Sequence, residues 1–167
     1  LTYIMLALIV VCLAITSCKN KSVHVQGNKE WTNNEFIYEE EVCRDFFMRN
    51  MIDKKGGIYT NYLENEKEEE WAAGHEVISE SQGLLMLYSV QIENKGMFEK
   101  SFQYVVKNML LDKGTISWRV KEDYVSEATA SIDDLRIARA LIYAYEKWGD
   151  KMYLSLYNDI SDILLEK

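Results

Sequence analysis

The chain is 167 residues long, which sets a prior of one domain. Its 19 Lys and Arg against 27 Asp and Glu leave a formal net charge of −8, the wrong sign for a nucleic-acid footprint, which needs a cationic surplus to displace counterions. Apolar residues at 48% and charged residues at 28% give a globular balance, and the absence of proline, where roughly eight would be ordinary, disfavours a turn-rich β-sandwich and points to a mostly helical fold.

Leu1 to Cys18 carries no charged residue, and its apolar run from Met5 to Ile15 is eleven long. That is too short for a bilayer-spanning helix and suits a signal-peptide core. The sequence Ile15-Thr16-Ser17-Cys18 resembles the lipobox of bacterial lipoproteins, small residues before a Cys directly after such a core. The resemblance implies cleavage before Cys18, a lipid on Cys18, and an extracytoplasmic protein anchored to the membrane through that lipid. Residues 1–17 are then a signal peptide and 18–32 a polar tether. An ordinary signal peptide, or a short buried helix with a Cys nearby, are the other readings. The opening Leu and the missing positive n-region suggest a non-standard start or lost upstream residues. Cys12 leaves with the signal and Cys18 is lipidated, so Cys43 stands alone and no disulfide framework is expected. Cys43 lies in an apolar stripe and reads as a small core residue. His24 and His75 are isolated, so no metal site is expected.

Five helical patterns follow. The first covers about 33–52, with Phe36, Cys43, Phe47 and Met51 on one stripe; the second, about 80–93, contains the nearly all-apolar Leu84-Leu85-Met86-Leu87-Tyr88. The third, about 97–111, spaces Phe98, Phe102, Val105 and Met109 at helical intervals. The fourth, about 132–148, has one stripe of Ile137, Leu141, Ala144 and Trp148 and a second of Ala138, Ile142 and Tyr145. The fifth, about 151–165, aligns Tyr153, Tyr157, Ile160 and Leu164. Odd-numbered helices are amphipathic and bury one face, while the second and fourth are apolar on most sides and must be covered twice. This predicts two layers with the even-numbered helices inside. Connections after the inner helices are short, Asn94-Lys95-Gly96 and Gly149-Asp150, whereas those before them, Asp53 to Ser79 and Leu111 to Ser131, are long. Both long loops therefore meet the N-terminal ends of the inner helices, where function usually sits. Each holds a short β-like piece, Gly57 to Thr60 and Thr115 to Val120; the acidic run Glu64 to Glu70 reads as a solvated loop.

The inner helices open with Ser79-Glu80-Ser81-Gln82-Gly83 and Ser131-Ile132-Asp133-Asp134-Leu135. Two carboxyl groups flanking one cleft are what glycosidic cleavage needs, one protonating the leaving oxygen while the other activates water or attacks the sugar. The same spacing also fits two capping boxes, Ser79 with Gln82 and Ser131 with Asp134, and first-turn acids suit the helix dipole. A helix N-terminus favours a carboxylate over its acid, so a general acid there needs desolvation or a neighbouring carboxylate to keep its proton. Asp134 lies one turn before Ile137 and so faces inward, a poor place for an Asp without a role or a partner. Tyr59, Tyr62, Trp71, Trp118 and Tyr124 fall in or near the long loops, and Trp118-Arg119 is the candidate sugar platform.

Val77-Ile78-Ser79-Glu80-Ser81-Gln82-Gly83 with Met86 resembles the segment of glycoside hydrolase family 8 that carries the catalytic glutamate. Ala130, Ser131, Asp134, Ile137, Ala138, Ala140, Leu141, Ala144 and Trp148 match that family's signature in place, and Trp118-Arg119 between the blocks is also similar. The resemblance, over roughly residues 35–165, implies an all-α fold, the first part of an (α/α)6 barrel, and an inverting endo-acting hydrolase of a β-linked polysaccharide such as cellulose, xylan, chitosan or lichenan. Residues 33–167 would be the N-terminal part of its catalytic domain. By this resemblance Glu80 matches the proton donor and Asp134 the second Asp of the signature. Trp118, Arg119 and Gln82 would hold glycan, with no cofactor or metal. Ile132 stands where the family has its first Asp, and Asp133 beside it is the candidate replacement. The family's general base lies further along its fold than Lys167, so the sequence reads as part of a longer enzyme. The rival reading is a catalytically incomplete helical lipoprotein that binds glycan or a protein partner.

Overall fold

The computed structural model describes residues 36–63, 75–112 and 114–166. The expected signal peptide, lipobox and tether, the acidic run and Trp71 lie outside the described residues. Residues from Glu40 onward form one compact unit, preceded by a separate unit that ends at Glu39.

Five α-helices are present among the described residues: α1 (Ile37–Asn50), α2 (Ser79–Gln91), α3 (Lys95–Tyr104), α4 (Ser131–Trp148) and α5 (Lys151–Leu165). The last four form two antiparallel hairpins, α2–α3 and α4–α5, set side by side with α2 packed on α4. This is the predicted layering, and it is the repeat unit of a helical (α/α) toroid. The short connections are sharp for local reasons. Asn94 caps α3 by accepting from Met97 N at 3.0 Å, and Asp150 caps α5 by accepting from Met152 N at 2.9 Å. Gly149, at φ +72°, takes the left-handed turn that ends α4, where a side chain would be strained.

The core lies between the layers. Met86, Val90, Ile137, Ala138, Leu141 and Ala144 of the inner helices are buried against Phe98, Phe102, Tyr153, Leu156 and Ile160 of the outer ones. Phe98 and Phe102 both meet Tyr153 edge-on, with centroids 5.0 and 5.1 Å apart, a favourable aromatic geometry. Gly83 sets the closest approach of α2 to α4: a Cβ there would come within 3.2 Å of Arg136 Cβ and 3.3 Å of Ile137 Cγ1.

Two expectations need correction. The third helix does not run regularly to 111. After Tyr104 the chain widens into a π-type turn, Val105–Met109, and Leu110 N donates to Val105 O at 2.9 Å. The widening keeps Val105 and Met109 in the core as Leu110 bridges to Ile116. Cys43 is exposed rather than buried, and α1 buries none of its residues. A cavity of about 380 Å³, lined by Cys43, Phe47, Met51, Leu84, Leu85 and Tyr88 among others, lies beside the stripe, so those side chains face a gap instead of a packed partner. Leu84, Ile132 and Leu135 of the inner helices remain more than half exposed, apolar flanks that these two hairpins leave uncovered.

The long loops are joined to one another. β1 (Val77–Ile78), β2 (Arg119–Lys121) and β3 (Tyr124–Val125) form an antiparallel sheet in that order, with Val77 opposite Val120 and Ile78 opposite Arg119. β1 runs straight into α2. One expected β-like piece supplies β2, and the other bridges through Tyr59 to Val77. The sheet thus lies at the N-terminal ends of both inner helices.

Candidate active site

At that end of the molecule one guanidinium joins two carboxyl groups. Arg136 Nη1 lies 2.5 Å from Asp133 Oδ1 and 3.4 Å from Glu80 Oε1. The close helix crossing at Gly83 puts Arg136 of α4 beside the first turn of α2, where Glu80 sits. The Glu80 side chain is 52% exposed, so its carboxyl is open to solvent. Asp133 is buried, and its second oxygen accepts from Ser79 Oγ at 2.7 Å. The chain Ser79–Asp133–Arg136–Glu80 thus spans both helix starts, with Asp133 held and Glu80 presented.

The capping boxes do not form. The residues in the cap positions are Ile78 and Ala130, and neither helix start has a side-chain cap. Ser79 N donates to Trp118 O at 3.0 Å, so the adjoining loop satisfies an amide that a cap would otherwise serve. The Ser79 hydroxyl is thereby released to bind Asp133.

The remaining expected residues divide. Asp134 is fully buried, and its Oδ1 accepts from Ile116 N at 3.2 Å. It faces inward as its position predicts, and it braces the loop after Leu110. Gln82 is also fully buried. Its Nε2 donates to Gly56 O, Ser101 O and Ser101 Oγ at 3.1, 3.1 and 2.7 Å, and its Oε1 accepts from Ile58 N at 3.1 Å. Its nitrogen and its oxygen both have partners within the chain, so Gln82 ties α2 to α3 and to the 56–58 turn. Trp118 is half-buried, and Arg119 Cζ sits 5.6 Å from its ring centroid. Arg119 itself is buried and pairs with Glu76. Ile132 is exposed at the place of the family's first Asp.

Arg136 was not visible as a functional residue because it occupies a free position of the signature; its three-residue spacing from Asp133 was the one available signal. Glu76 gave no sequence signal at all.

The sequence profile described as Glycosyl hydrolases family 8 matches residues 67–166. The chain belongs to this family. A solved structure described as a novel alpha-amylase from Clostridium perfringens is 41% identical, with a TM-score of 0.68 over 77% of this chain and 37% of that one. Endoglucanase Cel10, a family 8 glycosyl hydrolase from Klebsiella pneumoniae, is 25% identical, with a TM-score of 0.63 over 75% of this chain and 39% of that one. YdaJ of Bacillus subtilis, named as a candidate lipoprotein, is 27% identical over 119 residues, 71% of this chain and 30% of its own length. The family 8 chain described here therefore spans less than two fifths of these relatives. Among the described residues no helix is long and apolar enough to cross a membrane.

Proposed function

We propose that this family 8 protein hydrolyses O-glycosidic bonds of a glucan by inversion, with Glu80 as the general acid. The observation that carries the reading is that the carboxyl groups of Glu80 and Asp133, one from the start of each inner helix, come to one place with Glu80 on the solvent side. Arg136 draws close to Asp133 and stands off from the more exposed Glu80, leaving the Glu80 carboxyl beside solvent and oriented from behind. Proton donation to a leaving oxygen needs such a group within hydrogen-bond reach of substrate. Both oxygens of Asp133 are engaged, which suits it to holding Arg136 and charge in place better than to activating water. Another carboxylate must therefore serve as base, across a gap wide enough for the attacking water. Trp118, whose backbone oxygen accepts from Ser79 N, is the sugar platform in this reading, and Arg119 supports it.

The β-linked reading draws support from the Klebsiella endoglucanase. An α-linked glucan is the second reading, favoured by the 41% identical alpha-amylase. Incubating the full-length gene product with cellulose, lichenan, xylan, chitosan and amylose, and following reducing ends and product anomer by NMR, separates them. Release from a β-glucan or from amylose, with the anomer inverted, is expected. Release from none of the five, or a retained anomer, would overturn the reading.

The same proposal places the protein outside the cytoplasm on a lipid at Cys18, with residues 1–17 removed, 18–32 as tether and the hydrolase domain from 33. The lipobox-like sequence and the naming of YdaJ support it. Expressed in a bacterium fed an alkyne fatty acid, the protein should take up label, and Cys18→Ser should not. Equal labelling of both would refute the anchor.

A further inference from the structure

Glu76 is a buried charge that the chemistry above does not use. It is fully buried just before β1; its Oε1 accepts a hydrogen bond from Arg119 Nη2 at 2.9 Å, and Arg119 Nε lies 2.7 Å from Oε2 as an ion contact. Lys121 Nζ approaches Oε1 at 3.3 Å. Removing a carboxylate from water is costly, and an apolar pair of similar volume would often join two strands at least as well. What the charged pair adds is direction, because one charge-assisted hydrogen bond and a second close ion contact on the same carboxylate hold the guanidinium in place. That guanidinium lies against Trp118, at cation–π distance from its ring. The Trp118 backbone is tied in turn to the first residue of α2, through Ser79 N donating to Trp118 O. Glu76 thus lies four residues before Glu80 in the chain and connects to the aromatic platform through one side chain.

We infer that Glu76 is a positioning residue: through Arg119 it holds the Trp118 ring on which a sugar stacks. The inference rests on the glycan-binding part of the function proposed above. A purely structural ion pair would change stability and would alter glycan affinity, if at all, independently of Trp118.

A double-mutant cycle tells the two apart. Binding of cellohexaose and maltohexaose is measured by calorimetry on the full-length protein carrying Glu80→Gln, which prevents turnover. Against that parent, Glu76→Gln and Trp118→Ala should each weaken binding of the accepted sugar about tenfold, the scale of one lost aromatic contact. The double variant should be no weaker than Trp118→Ala alone. Glu76→Asp, which keeps the charge, should recover part of the affinity, and it replaces Glu76→Gln in the cycle if the latter does not fold. Unchanged affinity in Glu76→Gln, additive losses in the double variant, or no binding of either sugar by the parent would overturn the inference. A wild-type protein that binds glycan yet releases no reducing ends sinks the hydrolase reading and leaves this one standing.

Discussion

Glu80→Gln is expected to lower kcat on an unactivated glucan by about 10²–10⁴-fold, the range that a positioned general acid contributes. Gln keeps the shape of the side chain and loses the proton. The loss should shrink to about tenfold or less on an aryl glucoside or glucosyl fluoride, whose leaving group departs without protonation. Folding should be nearly unaffected. Glu80 is half exposed, its contact with Arg136 is 3.4 Å, and such a pair contributes about 0–1 kcal/mol. Activity and melting temperature measured on the same preparation separate chemistry from stability. Equal kcat in the two proteins, or an equal loss on both kinds of leaving group, would remove Glu80 from the acid role. Arg136→Ala offers a useful contrast. It leaves the buried Asp133 with its Ser79 contact and without its cation, so it should disturb folding and activity together.

The helices were legible because their cores repeat at the helical period: Phe98, Phe102, Val105 and Met109 are all buried, as are Ile137, Leu141 and Ala144. The layers followed from the contrast between one-faced and all-round apolar helices, and the place of the candidate site followed from the uneven loop lengths. Periodicity, however, identifies an apolar face without saying what meets it. The α1 stripe through Cys43 has helical spacing and lies against a cavity. Local motifs misled for a related reason. Ser79 and Gln82 have the spacing of a capping box, but the adjoining loop supplies Trp118 O to Ser79 N and draws both side chains to distant partners, Asp133 and the Gly56–Ile58 turn. Arg136 and Glu76 matter through partners 43 or more positions away, Glu80 and Arg119. Arg136 reaches across a helix pair and Glu76 across a strand pair, contacts that become visible only once the elements are packed.

Gln82→Leu tests the scaffold side of this division and should be the most destabilising of the substitutions considered. Leucine fills nearly the same volume, so no large cavity is left. It makes none of the hydrogen bonds, and it strands Ile58 N–H, Gly56 C=O and the Ser101 hydroxyl in or near the core. Each unsatisfied buried group costs about 1–3 kcal/mol, and partial relaxation of the loop brings the expected total to about 3–5 kcal/mol. Against the roughly 5–15 kcal/mol that holds a typical domain folded, that removes much of the margin. The loss should start in the 53–60 segment. There Asp53 Oδ1 accepts from the amides of Lys55, Gly56 and Gly57, and Gly56, at φ +104°, sits where a Cβ would strike Lys100 O. This tight turn is shaped by its own residues and held to α2 by Gln82. The expected result is a lower melting temperature together with new protease cleavage within 53–60, while the Michaelis constant measured well below the transition is unchanged. A substrate-contacting Gln82 would give the reverse, a raised Michaelis constant with melting temperature and cleavage pattern intact, and that outcome would return the residue to the binding groove.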